Sequence, residues 1–478
     1  MDKKEFRKQA HQMVDWMADY LETKDSFHVS PKINPGEIYH QIPEMAPEEG
    51  EDYDAIFKDF KDIILPGMTH WQHPSFFGYF PANNSEPSIL AEMLTATLGA
   101  QCMSWITSPA ATELEERVLE WMRDAKGICS TWKGVIQDTA STATLSAILA
   151  ARERACSYSI NENGYSGREK FRVYSSEHVH SSIDKALKIS GIGQSNLVRI
   201  AVDKTYAMRP ADLEKAIQED IINGFTPLCV VSALGTTSST AIDPIKRIGE
   251  ICQMYNIWHH IDAAFAGTAL FLPECQWMIE GHETADSYVF NPHKWMFTNF
   301  DCSVLYLKNP HFLVNTFSLT PEYLKSNMDA EVNNYRDWGI QLGRRFRALK
   351  LWFVLRSYGL IGIRAKLRHH LALAKTLIME MEAHHDIEIL APVPLNTICF
   401  RYNPTSRYTL DELNYINEKW MNLVNQSGRV FFTHTKLEGK FAIRWVIGQT
   451  DVEDFHIKEA WNLLLHKLPD AKPYVKEK

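Results

Sequence analysis

Between residues 171 and 307 the chain repeats one pattern: a short apolar run, a helical stretch, then another apolar run. The runs are FRVYSS, LVRIAV, PLCVVSA, IWHHIDAA, DSYVF and CSVLYL, and the intervening PADLEKAIQEDIING opens on Pro210, suited to a first helical position. Runs so short and so uniformly apolar are strands buried on both faces. Alternating with helices, they predict an α/β domain whose mainly parallel sheet is covered on both sides. Helices are expected at 111–126 and 140–155 ahead of the sheet. A long helix is expected at 337–358 (DWGIQLGRRFRALKLWFVLRSY) leaving it.

The flanks read differently. Residues 1–85 are helices joined by loops with Pro31, Pro35, Pro43 and Pro47, and the first helix carries Phe6, Met13, Val14, Met17 and Leu21 on one face. Such a segment has little core of its own and is expected to pack on something larger, such as a second subunit. Past residue 357, helices alternate with the strands NTICFRY and KFAIRWV, a small α+β domain. The expected division is thus 1–85, 86–357 and 358–478.

Charge and cysteine usage narrow the class. The net charge of −9, from 59 acidic against 50 basic residues with no basic stripe, argues against a nucleic-acid surface. No apolar run reaches the roughly 18 residues of a membrane span, and the charged N-terminus lacks a signal-peptide core. The eight cysteines are scattered with no CxxC pair, which fits free thiols in a reducing cytoplasm. A cytoplasmic enzyme is the expectation.

Ligands of open α/β sheets gather at the carboxyl ends of strands, and three motifs fall there. HHIDAAFAG puts Asp262 at one strand end, and FNPHKW puts Lys294 just past the next. QDTASTAT opens a helix whose first N–H groups, with Ser141, suit a phosphate. His180 follows a further strand. Singly, each has a plainer reading: a snorkelling lysine, a capping aspartate, small residues for close helix packing. The pairs His178/His180 and His259/His260 also admit metal binding, though without a matching third ligand. Jointly, an amine, a carboxylate and a phosphate cradle point to pyridoxal phosphate. Its aldehyde takes a lysine amine, its ring nitrogen a carboxylate and its phosphate a helix N-terminus.

On these motifs, and on HWQHPSFFGYFP, SWITSPAATELE, HSSIDKA, ALGTTSSTAIDPI, NFDCS and DWGIQLGRRFRALKLWFVLRSYG, the chain resembles the group II pyridoxal-phosphate decarboxylases over almost its whole length. Within them it is similar to the aromatic-L-amino-acid (DOPA, tyrosine, tryptophan) decarboxylases, of bacterial type. The resemblance implies a large domain of fold type I, like aspartate aminotransferase, with a mainly parallel seven-stranded sheet. It also implies the N-terminal helical segment as a dimerisation element, and a homodimer with shared active sites.

By the same resemblance Lys294 is the Schiff-base lysine, Asp262 the partner of the pyridine nitrogen, and His180 the residue stacked on the ring. Ala140, Ser141, Asn291 and His293 hold the phosphate, and Thr237 lies beside the cofactor. Trp71, Tyr79, Phe80 and Pro81 line the aromatic pocket, with Ala82, Gln101 and Met103 nearby. Tyr323 sits on a catalytic loop and, with His180, returns a proton to the substrate's Cα. The implied reaction is decarboxylation of L-DOPA, tyrosine, phenylalanine, tryptophan or 5-hydroxytryptophan through an external aldimine and a quinonoid. In similar enzymes, Phe for the loop tyrosine or Asn for the histidine accompanies oxidative formation of an aldehyde, the alternative chemistry. A non-catalytic, cofactor-binding scaffold is the alternative outside enzymology. Neither metal nor nucleic acid is expected.

Overall fold

The computed structural model describes residues 1–319, 328, 331–404 and 408–472. All six apolar runs are strands, and a seventh comes from KGVIQ, which has too few apolar residues to stand out as a run. In chain order, β1 (Lys133–Gln137), β2 (Phe171–Ser176), β3 (Leu197–Ile200), β4 (Thr226–Ala233), β5 (Trp258–Asp262), β6 (Ser287–Phe290) and β7 (Ser303–Leu307) make one sheet. Its spatial order is β1-β7-β6-β5-β4-β2-β3. Neighbours from β3 to β6 pair in parallel, while β7 runs antiparallel to both β6 and β1. β1 therefore points the same way as β6, and the carboxyl ends of all strands except β7 meet along one sheet edge. The α/β expectation with a mainly parallel seven-stranded sheet is borne out.

Strand alternation divides the core in two. From β4, Cys229 and Val231 join a cluster on one face with Ala143 and Ile148 of the helix Ala140–Ala155, Trp258 and Val289. Val230 joins the opposite face with Leu213 and Ile217 of the helix Pro210–Ile222, and Ile248 and Ile251 of the helix Ile245–Met254. Each of these wholly buried aliphatic side chains stabilises the fold by about 1.5–3 kcal/mol relative to exposure. Pro210 occupies the first turn of its helix, as expected.

The long helix begins later than expected. It spans Arg347–Glu382 and breaks at Gly359, whose φ of 62° is left-handed. Residues 338–346 are irregular because their polar groups are engaged elsewhere. Trp338 O accepts from Gln137 Nε2 at 2.9 Å, and Arg344 Nη2 donates to Glu115 Oε1 at 2.7 Å and Ile136 O at 2.9 Å.

Two units emerge: a larger one of residues 82–375 and 391–398, and a smaller one of 1–81, 376–390 and 399–478. The smaller unit thus groups the N-terminal segment with the C-terminal one, which the sequence division kept apart. Its sheet has the order β10-β11-β9-β8, from β8 (Ile387–Ile389), β9 (Thr397–Tyr402), β10 (Thr433–Leu437) and β11 (Lys440–Val446). The stretch HPSFFGYF is laid against it: Phe77 N donates to Phe431 O at 2.8 Å and Val446 N to Phe77 O at 3.1 Å. A Cβ at Gly78 would lie 2.6 Å from the Phe431 ring, so the approach requires glycine. The first helix, Lys3–Thr23, is capped by Asp2, which accepts from Lys4 N and Glu5 N. Part of its apolar face is open, with Phe6 62% and Val14 42% exposed, while Met13, Met17 and Leu21 are half-buried. Among the described residues no helix is long and apolar enough to cross a membrane.

Candidate active site

Past Phe290, Asn291 caps the one-turn helix Pro292–Trp295, which lifts Lys294 off the end of β6. Lys294 is half-buried, and its N–H donates to Asn291 O at 3.0 Å. Its neighbours are fixed by buried bonds. His293 Nδ1 accepts from Cys302 N at 2.8 Å, so the ring proton lies on Nε2. Burial first, then the Lys294 charge, pushes the His293 pKa down to about 3, and the ring is neutral. Trp295, wholly buried, stacks on Phe265 at 5.0 Å and donates its indole N–H to His370 Nδ1 at 2.8 Å. Asn291 Oδ1 accepts from Ser303 Oγ at 2.7 Å, and Asn291 N donates to Ala264 O at 2.9 Å.

Asp262 closes β5, in register with Ala233 of β4 and Val289 of β6. Its Oδ1 accepts from Ala264 N at 3.0 Å, and its other oxygen has no hydrogen bond among the described residues. His180 follows β2, with Nδ1 2.8 Å from Ser182 Oγ and accepting from Ser182 N at 3.1 Å. The residue is exposed overall, yet the protein around its ring desolvates it enough to lower its pKa. The Lys294 charge lowers it further, and Asp262 opposes. The two charges that act on His180 are thus those of Lys294 and Asp262, and the structure brings these three residues together at the carboxyl edge of the sheet.

Ala140 and Ser141 are the first two positions of the helix Ala140–Ala155, whose N-cap Thr139 accepts from Thr142 N. Their N–H groups have no carbonyl one helical turn behind them and face outward, as an anion requires. Thr237 is exposed on the turn after β4. There Gly235 has φ +88°, and a Cβ on it would meet the Ala266 Cβ at 2.6 Å.

The expected pocket residues divide between the units. Trp71, Tyr79, Phe80 and Pro81 belong to the smaller one. Trp71 and Tyr79 stack at 5.6 Å, and the Arg444 guanidinium lies 4.5 Å from the Phe80 ring centre. Ala82, Gln101 and Met103 belong to the larger unit. Gln101 Oε1 accepts from Arg344 N at 2.7 Å and Met103 O from Arg336 N at 2.8 Å. Tyr323 lies outside the described residues.

Sequence reasoning passed over some buried groups that shape this edge. Asp243 ties the end of β4 to a neighbouring loop, accepting from Ala233 N and Met208 N, each at 2.7 Å. Burial raises its pKa to about 6 against those bonds. Its signal in the sequence is the aspartate of AIDPI, which nothing local marks as buried. Three of the four ring nitrogens of the histidine pair meet hydroxyls: His259 Nε2 lies 2.7 Å from Ser232 Oγ, and His260 reaches Thr144 and Ser287, while His259 Nδ1 is buried without a partner among the described residues. Among the described residues no group of three or more His, Cys, Asp or Glu is arranged to hold a metal.

Residues 35–403 match the family described as the pyridoxal-dependent decarboxylase conserved domain. The chain is 41% identical over 485 residues to a phenylacetaldehyde synthase of Arabidopsis thaliana, covering 98% of each protein. The crystal structure of Catharanthus roseus tryptophan decarboxylase in complex with L-tryptophan superposes with a TM-score of 0.93 at 36% identity, covering 98% of this chain and 99% of that one. That of Oryza sativa TDC with PLP and tryptamine superposes with a TM-score of 0.96 at 31% identity, covering 99% of both. These relatives are plant proteins, so the expectation of a bacterial type is not borne out.

Proposed function

Because the chain belongs to the pyridoxal-dependent decarboxylase family, we propose that it converts aromatic L-amino acids to arylalkylamines and CO2, with Lys294 as the residue that holds the cofactor. The observation that carries this reading is the gathering of Lys294, Asp262 and His180 at one sheet edge. The donor set suits the cofactor. A half-buried amine, a carboxylate with one uncommitted oxygen and a helix start with outward N–H groups match an aldehyde, a ring nitrogen and a phosphate. When bound, pyridoxal phosphate supplies an aldehyde that takes the substrate's nitrogen and a protonated ring that accepts the electrons released with CO2.

The protein's own part is to bind, orient and move protons. Asp262 holds a proton on the ring nitrogen by opposite charge. Ala140 and Ser141 hold the phosphate with Asn291 and with His293, whose neutral ring offers Nε2–H as a donor. Thr237 would lie beside the bound cofactor and His180 would stack on it. His180 and Tyr323 return a proton to the substrate's Cα. The substrate ring is assigned to Trp71, Tyr79, Phe80, Pro81, Ala82, Gln101 and Met103. The aromatic rings among these residues suit a flat apolar side chain, which disfavours acidic amino acids. A homodimer with shared active sites is part of the proposal, supported by the exposed Phe6 and Val14 on the apolar face of the helix Lys3–Thr23. So is a cytoplasmic setting, supported by cysteines that form no disulfide among the described residues.

Competition among L-DOPA, tyrosine, phenylalanine, tryptophan and 5-hydroxytryptophan, with identification of every product, tests the reading. Amine from at least one of them is expected, and amine from none would overturn it. A second reading, oxidative formation of an aromatic aldehyde, is favoured by the phenylacetaldehyde synthase at 41% identity. Against it stand His180 and Tyr323, both present in the form that goes with simple decarboxylation. Hydrogen peroxide and ammonia released in step with turnover would decide for the aldehyde.

A further inference from the structure

His260 and Asp262 are two residues apart on β5 and so face the same side of the sheet. On that side the helix Ala140–Ala155 packs, its Ala143 and Ile148 in one cluster with Trp258 and Val289. His260 is wholly buried, and both its ring nitrogens are engaged. Nε2 lies 3.1 Å from Thr144 Oγ1 on that helix, and Nδ1 lies 2.8 Å from Ser287 Oγ on β6. Ser287 Oγ also accepts from Trp258 Nε1 at 2.8 Å, which fixes the hydroxyl in place. Thr144 stands one helical turn beyond Ala140. The bridge thus joins the strand ending in Asp262 to the helix that begins at Ala140 and Ser141.

We propose that His260 is a positioning residue that sets the separation between Asp262 and the N-terminal end of the helix Ala140–Ala155 by bridging Thr144 and Ser287. This rests on the assignment of Asp262 to the ring nitrogen and of Ala140 and Ser141 to the phosphate. Those two groups are joined through a planar ring and a short CH2–O arm, which confines their separation to a narrow range, so the protein gains from both only if its own spacing falls within it. Apolar burial is itself non-directional and sets the register of a helix on a sheet only through the fit of side chains. A two-ended buried hydrogen bond is directional, and it fixes the register of helix on strand.

The full chain, stripped of cofactor, is titrated with pyridoxal phosphate and with pyridoxal, which keeps the aldehyde and ring nitrogen but lacks the phosphate. The ratio of the two affinities measures how well both ends are met at once. Thr144→Val removes one hydroxyl at nearly constant volume and is expected to lower that ratio about tenfold, chiefly by weakening pyridoxal phosphate. Ser287→Ala cuts the other end and is expected to act alike, which covers a failure of Thr144→Val to fold. Thr144→Ser keeps the hydroxyl and restores the ratio. Ser232→Ala, which removes the partner of His259 on the opposite face of β5, leaves it unchanged. An unchanged ratio in folded Thr144→Val or Ser287→Ala overturns the proposal. So does an equal fall in Ser232→Ala, which reduces the bridge to general packing. If the unsubstituted chain binds pyridoxal as well as pyridoxal phosphate, the phosphate assignment fails instead.

Discussion

The turn that carries Lys294 and the stretch HWQHPSFFGYFP are both crowded with aromatic rings, and they use them in opposite ways. In the turn, each polar ring is anchored through one nitrogen: His293 Nδ1 to a backbone N–H, Trp295 Nε1 to His370. Even Phe297, at a left-handed φ of 52°, has its carbonyl held by Ser85 Oγ at 2.6 Å. In the stretch, Phe76 and Phe77 are fully buried against Phe431, Phe432 and Trp445. Trp71 and Tyr79 stack on each other while remaining 37% and 53% exposed. Directional bonds fix a reacting group to a fraction of an ångström, whereas stacked, open rings tolerate ligands of different outline. A reaction common to a family and a substrate preference that varies within it are expected to sit on these two kinds of surface.

The contrast breaks or sharpens at four points. Lys294→Ala is expected to abolish turnover and the visible absorption of bound cofactor together, read by amine assay and absorbance. Residual turnover at more than a trace would show that the fixed turn does not hold the essential amine. Asp262→Asn, which keeps the shape and removes the charge, is expected to lower kcat by roughly a hundredfold to a thousandfold. A change under tenfold would deny it control of the ring nitrogen.

Acid comes next. The pKa of His293 is depressed from the usual histidine value to about 3, and that of His260 to about 4, both mainly by burial. Between those values and about 6.5 the unfolded chain binds protons that the folded one does not, so stability is full at neutral pH and falls as pH drops. Each such histidine costs about 1.4 kcal/mol per pH unit in that window, and His293→Phe is expected to flatten the slope of thermal stability between pH 6 and 5. Smallest, Trp71→Leu is expected to shift the preference among aromatic substrates by about threefold to tenfold with little effect on kcat for the best one. A large loss for all substrates would place Trp71 with the fixed turn rather than the open surface.

How much was open to reading from residues follows the same line. The sheet was readable because parallel strands buried on both faces are uniformly apolar, and Lys294 and Asp262 were readable because charged groups at such strand ends stand out. KGVIQ was missed because Val135 and Ile136 alone make no run. The start of the long helix was misplaced because FRALKLWFV is helical in pattern and DWGIQLG does not visibly contradict it. What removes those residues from the helix is tertiary, the buried Arg344 reaching Glu115 and Ile136 O. The Thr144–His260–Ser287 bridge was beyond reading for the same reason. Its members lie on three elements, and nothing local marks a threonine in a small-residue helix as the partner of a distant histidine.

The single reversed strand also bears on the order in which the site assembles. Because β7 runs antiparallel to β6, only residues 291–302 separate the two, and a hairpin closes around Lys294. Closing so short a loop costs little chain entropy, and its contacts are local. Asp262 and His180 meet that hairpin only after crossovers spanning helices have closed, and Ala140 only when β1 docks on the far side of β7. The strand pairing that frames the lysine is therefore the shortest in sequence in this sheet, while the groups that complete its setting, His370 and Ser85 as well as Asp262 and His180, arrive by slower, longer-range pairing.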